Sequence, residues 1–286
     1  MLIGWRGSFT PAEKTKMRDW LARVAGHVTL LHGTLPRSPI RAVLRPYAAS
    51  EAVPFAQVIR SAPEGVTFYV NPDRPLEEFV RDWTAYHEFS HLFIPYPSAD
   101  ALWFSEGLAS FYQNVLQYRA GLLDEREAWQ KLRNGFQRGR EDDAHDGTTL
   151  ADVSTSMIER RAFMRTYWSG ALYFLEADIA LRERSAGRLS LDAVLRDYGL
   201  CCLQQAGRVR GEAIAAEFDR IAGIEVFAPL YGRYAASRRM PDYERVLASA
   251  GIALARARIE PLANPGSRYS LDPAPANAVT MNFSSP

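Results

Sequence analysis

The five residues HEFSH, from His87 to His91, constrain the fold of this chain more than any other feature. Apolar residues recur at three- and four-residue intervals around them, which predicts a buried helix that Asp73 can cap and that continues through the motif. Residues four apart project from one face of a helix, so both imidazoles can bind one tetrahedral ion, with Glu88 beside it. A surface helix with two incidental histidines is the competing interpretation, and the apolar surroundings argue against it because buried polar groups need partners.

A catalytic zinc ion normally has three protein ligands and one open position, so the motif requires a third ligand. Glu106 is the best candidate, because it follows an interruption with two prolines and lies near the start of the next predicted helix, where the chain has turned back. The remaining histidines are less suitable: His145 lies in a charged segment, and His27 and His32 lie in the amino-terminal part. The pattern therefore predicts a zinc site that combines Glu106 with the two motif histidines.

Composition and charge exclude several classes of protein. Of 286 residues, 47% are hydrophobic and 23% are charged, which is typical of a folded globular chain. The net charge of +1 provides no global field for nucleic acid or an anionic membrane, so neither partner is expected. No apolar run reaches the roughly 18 residues that a membrane span needs, and the amino-terminal apolar run is too short for a signal peptide. The compartment stays open between the cytoplasm and, for an excised mature form, the periplasm or the exterior, as does the oligomeric state.

The two cysteines, Cys201 and Cys202, are adjacent. Their Cα atoms are expected to lie about 3.8 Å apart, which is below the usual range for a disulfide. We therefore expect no disulfide framework.

Proline, glycine and capping residues predict the other elements. An amphipathic helix over 8–25 precedes two short strands, 40–44 and 66–70, which indicate a small sheet ahead of the zinc-binding helices. The helix after the motif is expected to be capped by Asp100 and to end at Gly121.

The rest of the chain is predicted to be mainly helical. Polar residues indicate an exposed connection over 135–156, and apolar periodicity predicts a long helix over 167–184 with shorter helices over 190–250. We expect an amino-terminal helix and small sheet, a helical catalytic core and a flexible tail, over 1–72, 73–259 and 260–286 respectively.

The motif and the segments after it resemble a known family. HEFSH followed by LWFSEGLASFYQ is similar to the gluzincin zinc metallopeptidases, most closely the glycyl aminopeptidase family, and distantly to aminopeptidase N and thermolysin. Further similarity lies in TYWSGALYFLEADIALRERSAGRLSLDAVL (166–195) and FAPLYGRYAASRRMPDYERVLASAGIAL (227–254). The resemblance covers roughly residues 70–254 and implies a mainly α (α+β), thermolysin-like zincin domain. Such a domain has a small sheet ahead of the zinc helices and a helical carboxy-terminal part.

The resemblance also implies roles for individual residues. His87, His91 and Glu106 match the zinc ligands, and Glu88 matches the catalytic glutamate that takes a proton from water. Tyr167 matches a tyrosine that donates a hydrogen bond to the tetrahedral intermediate. The implied function is hydrolysis of a peptide or protein substrate with a Zn²⁺ cofactor.

The chain departs from that family in two respects, which keep two alternatives open. Only 14 residues separate His91 from Glu106, so the intervening loop is short. No GAMEN-like segment precedes the motif, and Glu64 is the only acid where one is expected, so an aminopeptidase is a weaker prediction than a peptidase. The alternative is an inactive zinc-stabilised scaffold or peptide-binding module. Glu88 argues against a scaffold, because a purely structural site needs no base.

Overall fold

A four-stranded sheet forms the amino-terminal side of the protein. The computed structural model describes residues 1–31, 33–203, 207–255, 258–261 and 269–273. The strands are β1 (Leu2–Trp5), β2 (Arg41–Pro46), β3 (Phe55–Ile59) and β4 (Gly65–Val70). Their spatial order is β1-β2-β4-β3; β1 and β4 pair in parallel with β2, and β3 is an antiparallel edge strand. The two predicted strands correspond to β2 and β4, whereas β1 and β3 were not predicted.

Helices form most of the remaining structure. They are α1 (Pro11–Val28), α2 (Leu76–Arg81), α3 (Thr84–Ser90), α4 (Leu102–Arg119), α5 (Glu125–Glu141), α6 (Leu150–Thr155), α7 (Met157–Arg160), α8 (Phe163–Arg184), α9 (Leu191–Cys201), α10 (Gly211–Ala222), α11 (Phe227–Ala235) and α12 (Tyr243–Ser249). A hairpin of β5 (Ile252–Ala255) and β6 (Arg258–Pro261) follows α12. Within the described residues, no helix has both the length and the apolar character that crossing a bilayer requires.

Helix α1 covers one face of the sheet. It begins at a capping box in which the Thr10 side chain accepts from the Glu13 backbone and the Glu13 side chain accepts from the Thr10 backbone. Trp20 is fully buried, and its ring lies 5.1 Å from that of Phe68 in β4. The motif helix reaches the same layer, since the ring of Phe89 lies 5.7 Å from that of Phe68. This packing fixes α3 on the sheet.

The predicted single helix from Asp73 through the motif is wrong. The chain forms α2 after an uncapped start at Pro75, leaves the helical conformation at Asp82 (φ −67°, ψ 131°), and begins α3 at Thr84. A side-chain oxygen of Asp82 accepts the Thr84 N–H at 2.8 Å, so this aspartate stabilises the start of α3. Short polar side chains compete with helix hydrogen bonds in this way.

The start predicted for the next helix is also different. Asp100 lies in a short 3₁₀ helix (Ala99–Ala101), and α4 starts at Leu102 without a side-chain cap. The predicted end is as expected, because Gly121 follows α4 with φ +70°, a conformation that glycine adopts without a steric penalty.

The predicted exposed connection over 135–156 is partly helical. Helix α5 continues to Glu141, because Gly135 and Gly139 lie against Trp168 of α8. A Cβ atom at Gly135 would come within 2.2 Å of that ring, so the two glycines allow close helix packing in a segment whose polar residues predicted a connection. Helix α6 then occupies Leu150–Thr155.

Two further expectations differ from the structure. Cys201 and Cys202 form a disulfide with their Cα atoms 3.7 Å apart, at the point where α9 ends and Cys202 has left the helical conformation. Much of the predicted tail from residue 260 lies outside the described residues. The described part is not a free tail, because β6 extends to Pro261 and both Tyr269 and Leu271 are buried. The Tyr269 hydroxyl donates to the Asp178 carboxylate at 2.6 Å.

Candidate metal centre

Three side chains converge between α3 and α4. The Nε2 atoms of His87 and His91 lie 3.2 Å apart, and an oxygen of Glu106 lies 3.2 Å from the former and 3.5 Å from the latter. His87 belongs to α3, His91 begins the short 3₁₀ helix that follows it (His91–Phe93), and Glu106 lies in the second turn of α4. The structure therefore brings together the three residues that the sequence singles out as ligands.

Hydrogen bonds fix both imidazole rings from behind. Nδ1 of His87 lies 2.8 Å from Oε1 of Gln113, which can only accept, so this nitrogen carries the proton. Nδ1 of His91 lies 2.8 Å from the Ser105 hydroxyl, which can accept in the same way. Both Nε2 lone pairs then face each other and a carboxylate. Such an arrangement requires positive charge between the three atoms.

The spacing of these three atoms fits a tetrahedral zinc ion. Metal–ligand distances of about 2.0–2.1 Å at tetrahedral angles place neighbouring ligand atoms roughly 3.3 Å apart. The three observed separations are 3.2, 3.2 and 3.5 Å. Two imidazole nitrogens and one carboxylate oxygen are also a ligand set that zinc binds in catalytic sites.

The pKa values of His87 and Glu106 are shifted in directions that favour positive charge at the site. Burial alone would lower the pKa of His87, but the hydrogen bond and the charge of Glu106 outweigh it and raise that pKa. Burial opposes ionisation of Glu106, yet the charge of His91 and the hydrogen bonds from both histidines hold the Glu106 pKa well below its ordinary value. Both shifts favour positive charge between these three side chains.

Glu88 lies beside these atoms and is directed at the same space. A carboxylate oxygen of Glu88 and a nitrogen of each motif histidine all lie within 4.8 Å of one another. Burial raises the pKa of Glu88, and the charges of His91 and His87 act in the opposite direction. This carboxyl group is not needed to complete the three-atom set and can exchange a proton within the site.

Tyr167 of α8 forms another wall of the site. Its ring stacks on that of His87 with centroids 5.8 Å apart, and its hydroxyl interacts electrostatically with Glu106. Burial raises the pKa of Tyr167, and the negative charge of Glu106 acts in the same direction. The hydroxyl therefore stays protonated and can donate.

Arg60 supports the carboxy-terminal end of the motif. Its guanidinium donates to the backbone carbonyls of His91 at 3.2 Å and Ile94 at 3.3 Å. Glu64 is already engaged, since its carboxylate lies 2.6 Å from Nε of Arg37 and 3.9 Å from Arg60. Glu64 is the only acid in the segment where a GAMEN-like sequence was expected. Its carboxylate is thus paired with arginine and is not free to bind an amine.

The other candidate residues are elsewhere. His27 contacts the Tyr86 hydroxyl, and Nε2 of His145 donates to the Arg160 carbonyl at 3.1 Å, so neither is a partner of the motif. His32 lies outside the described residues. Ser110, one turn of α4 after Glu106, is not the hydrogen-bond partner of either Nδ1 atom; Ser105 and Gln113 are. The sequence contained one indication of these two residues, namely their positions relative to Glu106. Ser105 directly precedes Glu106, and Gln113 follows Glu106 by seven residues, which is two helical turns.

Two solved structures share the fold of this chain. An aminopeptidase N family protein from Idiomarina loihiensis superposes with a TM-score of 0.60 at 15% identity, over 88% of this chain and 47% of that one. A mutant M1 zinc metallopeptidase from Deinococcus radiodurans, bound to a Tyr-Ser-Ala substrate, superposes with a TM-score of 0.51 at 16% identity, over 83% of this chain and 47% of that one. The chain thus spans about half the length of these proteins. The predicted fold class, a mainly α zincin-like domain with a small sheet ahead of the helices that carry the motif, is confirmed.

A family comparison narrows the resemblance further. Residues 93–173 match the family model described as M61 glycyl aminopeptidase. The matched segment contains Glu106 and Tyr167 and starts two residues after His91. The resemblance to this family that the sequence predicted is therefore confirmed for this segment. No curated protein sequence matches the chain.

Proposed function

We propose that this chain is a zinc-dependent metallopeptidase of the gluzincin type, with zinc held by His87, His91 and Glu106. The observation that carries the proposal is the convergence of two imidazole nitrogens and a carboxylate oxygen at 3.2–3.5 Å from one another, with both Nδ1 atoms occupied from behind. The match of residues 93–173 to a peptidase family supports it.

Glu88 acts as the general base and then as the general acid. A zinc ion in such a site supplies a Lewis acid that acidifies water and polarises a carbonyl. The Glu88 carboxylate accepts the proton of the attacking water and passes it to the leaving amine. Glu88 is half-buried beside the two histidines, within reach of both the attacking water and the leaving amine.

Tyr167 stabilises negative charge on the former carbonyl oxygen. Its pKa is raised by burial, so it remains a hydrogen-bond donor at the pH of the reaction. A donor that is already oriented by packing on His87 costs little reorganisation when the oxyanion develops.

Removal of an amino-terminal residue is the narrower form of the proposal, and the family match supports it. An aminopeptidase must bind the free amine of its substrate, and an unpaired carboxylate suits that purpose. The carboxylate of Glu64 is paired with Arg37 and Arg60 and does not fulfil that requirement. Peptide-bond hydrolysis is therefore better supported than the narrower proposal that the bond cleaved is the one after the amino-terminal residue.

Metal analysis and a peptide library test this proposal together. We expect close to one zinc per chain and cleavage that stops when the zinc is chelated. Glu88→Gln should retain zinc but lower kcat by several orders of magnitude, because glutamine cannot accept the proton. Glu159→Gln is a matched control, since Glu159 is exposed and remote in sequence from the motif.

Three results would contradict the proposal. Wild-type activity in Glu88→Gln would mean that another group activates the water. A protein without zinc would remove the metal centre. Full zinc occupancy with no cleavage of any peptide would favour the inactive scaffold or peptide-binding module.

A further inference from the structure

A pocket adjoins the candidate metal centre between α4, α5 and α8. Its volume is about 390 Å³, and Trp83, Gln113 and Tyr167 are among the residues that line it. Each of these three contacts a residue of the metal centre. Gln113 contacts Nδ1 of His87, the Trp83 ring lies 5.6 Å from the His87 ring, and the Tyr167 ring stacks on His87 with centroids 5.8 Å apart. The pocket thus adjoins the candidate metal centre behind His87, and Tyr167 lines both.

The far wall of the pocket is basic. Lys131, Asn134 and Arg138 line it from one face of α5, three and four residues apart. No aspartate or glutamate is among the described residues that line the pocket. The Asn134 carbonyl oxygen already accepts from Gln130 at 2.8 Å and Arg133 at 3.3 Å, so its amide N–H groups are the part that it can offer to a ligand.

Acidic residues near this wall lie outside the lining. Asp82 interacts electrostatically with Lys131, but one of its oxygens accepts the Thr84 N–H at the start of α3. Glu141 interacts in the same way with Arg138 from the next turn of α5. These acids reduce the local positive potential without entering the pocket.

Arg138 is held in place by an aromatic ring. Its guanidinium lies 5.1 Å from the centre of the Trp168 ring, which also lines the pocket. A stacked guanidinium loses less conformational freedom when it binds an anion than a free one does. Arg138 is otherwise exposed to solvent, as are Lys131 and Asn134. An anion in the pocket would therefore meet a cation that its aromatic neighbour positions.

We propose that this pocket binds a carboxylate of the peptide substrate, next to the cleaved bond, through Lys131, Asn134 and Arg138. The inference rests on the proposed peptidase function and adds the substrate class. Tyr167 belongs both to the pocket and to the metal centre, so a group seated in the pocket is adjacent to the carbonyl that is attacked. The carboxylate is either an aspartate or glutamate side chain or the terminal carboxylate of a short peptide, because both present the same anion.

Matched peptides test the inference. The first pair carries glutamate or glutamine at each position flanking the cleaved bond and has an amidated carboxy terminus. A third peptide carries glutamine and a free terminal carboxylate. We expect kcat/KM to be roughly tenfold higher for a peptide with a carboxylate in either place than for the neutral peptide. Added salt should reduce the difference, because the wall is partly exposed.

Substitutions in α5 test whether the preference for a peptide with a carboxylate arises in the pocket. Lys131→Gln and Arg138→Gln should each lower the ratio of kcat/KM for the favoured peptide to that for the neutral peptide several-fold, and the double variant should bring this ratio to about one. Arg126→Gln is the matched control, because Arg126 is exposed on the same helix and does not line the pocket. Equal cleavage of charged and neutral peptides by the wild type, or equal losses in Arg126→Gln, would overturn the inference.

A binding measurement separates this inference from the proposed function. Calorimetry with zinc-loaded Glu88→Gln gives Kd for the same three peptides without any cleavage. We expect roughly tenfold tighter binding of the favoured peptide, lost in the triple variant with Lys131→Gln and Arg138→Gln. No difference in Kd overturns the pocket assignment even where the wild type cleaves peptides. A preserved difference in Kd supports it even where cleavage is absent, which would contradict the proposed function alone.

Discussion

Gly107 of α4 and Gly170 of α8 bring the backbones of the two helices into direct contact. A Cβ atom at Gly107 would lie 2.2 Å from Cα of Gly170, and one at Gly170 would lie 2.0 Å from the carbonyl oxygen of Trp103. Gly107 adjoins Glu106, and Gly170 is one helical turn after Tyr167. The close crossing therefore sets the distance at which the tyrosine hydroxyl meets the candidate ligand.

Gly107→Ala tests this crossing. The added methyl group meets backbone on the other helix, which cannot move aside, so we expect the free energy of unfolding to fall by about 2–3 kcal/mol. Gly26→Ala is the matched control: Gly26 is in helix α1 with nothing within 4 Å of an added Cβ, and alanine there should stabilise by roughly 0.5–1 kcal/mol. Urea unfolding of both variants measures the difference. Unchanged stability of Gly107→Ala would show that the two helices are not in contact at this point.

The zinc ligands give a second prediction. His87→Ala, His91→Ala and Glu106→Ala should each lose most of the bound zinc, because a site with two remaining ligands has much lower affinity. His145→Ala is the matched control, since this histidine contacts the Arg160 carbonyl instead of the motif. Zinc content by elemental analysis after dialysis measures the effect.

Retention of zinc in any of the three variants would remove that residue from the ligand set. Retained zinc in Glu106→Ala alone would mean that a different acid completes the site. Asp100, in the 3₁₀ helix directly before α4, would be the next acid to test.

The residues behind the histidines give a third prediction. Gln113→Ala and Ser105→Ala should each lower zinc affinity by about 10- to 100-fold, because the imidazoles lose the hydrogen bond that fixes their tautomer and orientation. Ser110→Ala should leave zinc affinity unchanged, since its side chain lines the neighbouring pocket and does not contact either ring. Competition with a chelator of known affinity gives the three values. Equal affinities in all three variants would contradict the supporting role.

The motif could be predicted from sequence because its chemistry depends on helical spacing alone. His87 and His91 share a face wherever a helix forms, and Glu106 follows from the need for a third ligand on a returning helix. Tyr167 was predicted only through the family resemblance, since an isolated tyrosine on an apolar helix carries no signal of its own. Its position beside Glu106 depends on the Gly107–Gly170 crossing, which is a tertiary feature.

The parts that were not predicted depend on neighbours distant in the chain. Strand β1 has four residues and forms by pairing with β2, which is 39 residues away at Leu2 and Arg41. Gly135 and Gly139 lie in a helix because Trp168, 29 or more residues later, packs against them. The sequence does not distinguish Gln113 from other buried amides, because its contact with His87 depends on the packing of α3 on α4. Local propensity cannot specify these contacts.

Tyr167→Phe gives the last prediction, and it separates a catalytic role from a packing role. The phenylalanine ring can keep its stacking on His87, so zinc content and stability should change little. The hydroxyl acts mainly on the oxyanion that develops in the transition state, so kcat should fall by roughly 100- to 1,000-fold with a small change in KM. Tyr118→Phe is the matched control, because its hydroxyl lies near the surface, 3.1 Å from Asp272. Steady-state kinetics and zinc analysis of both variants measure these effects. If kcat in Tyr167→Phe equals that of the wild type, Tyr167 is a packing residue and the role implied by the family resemblance does not apply to this chain.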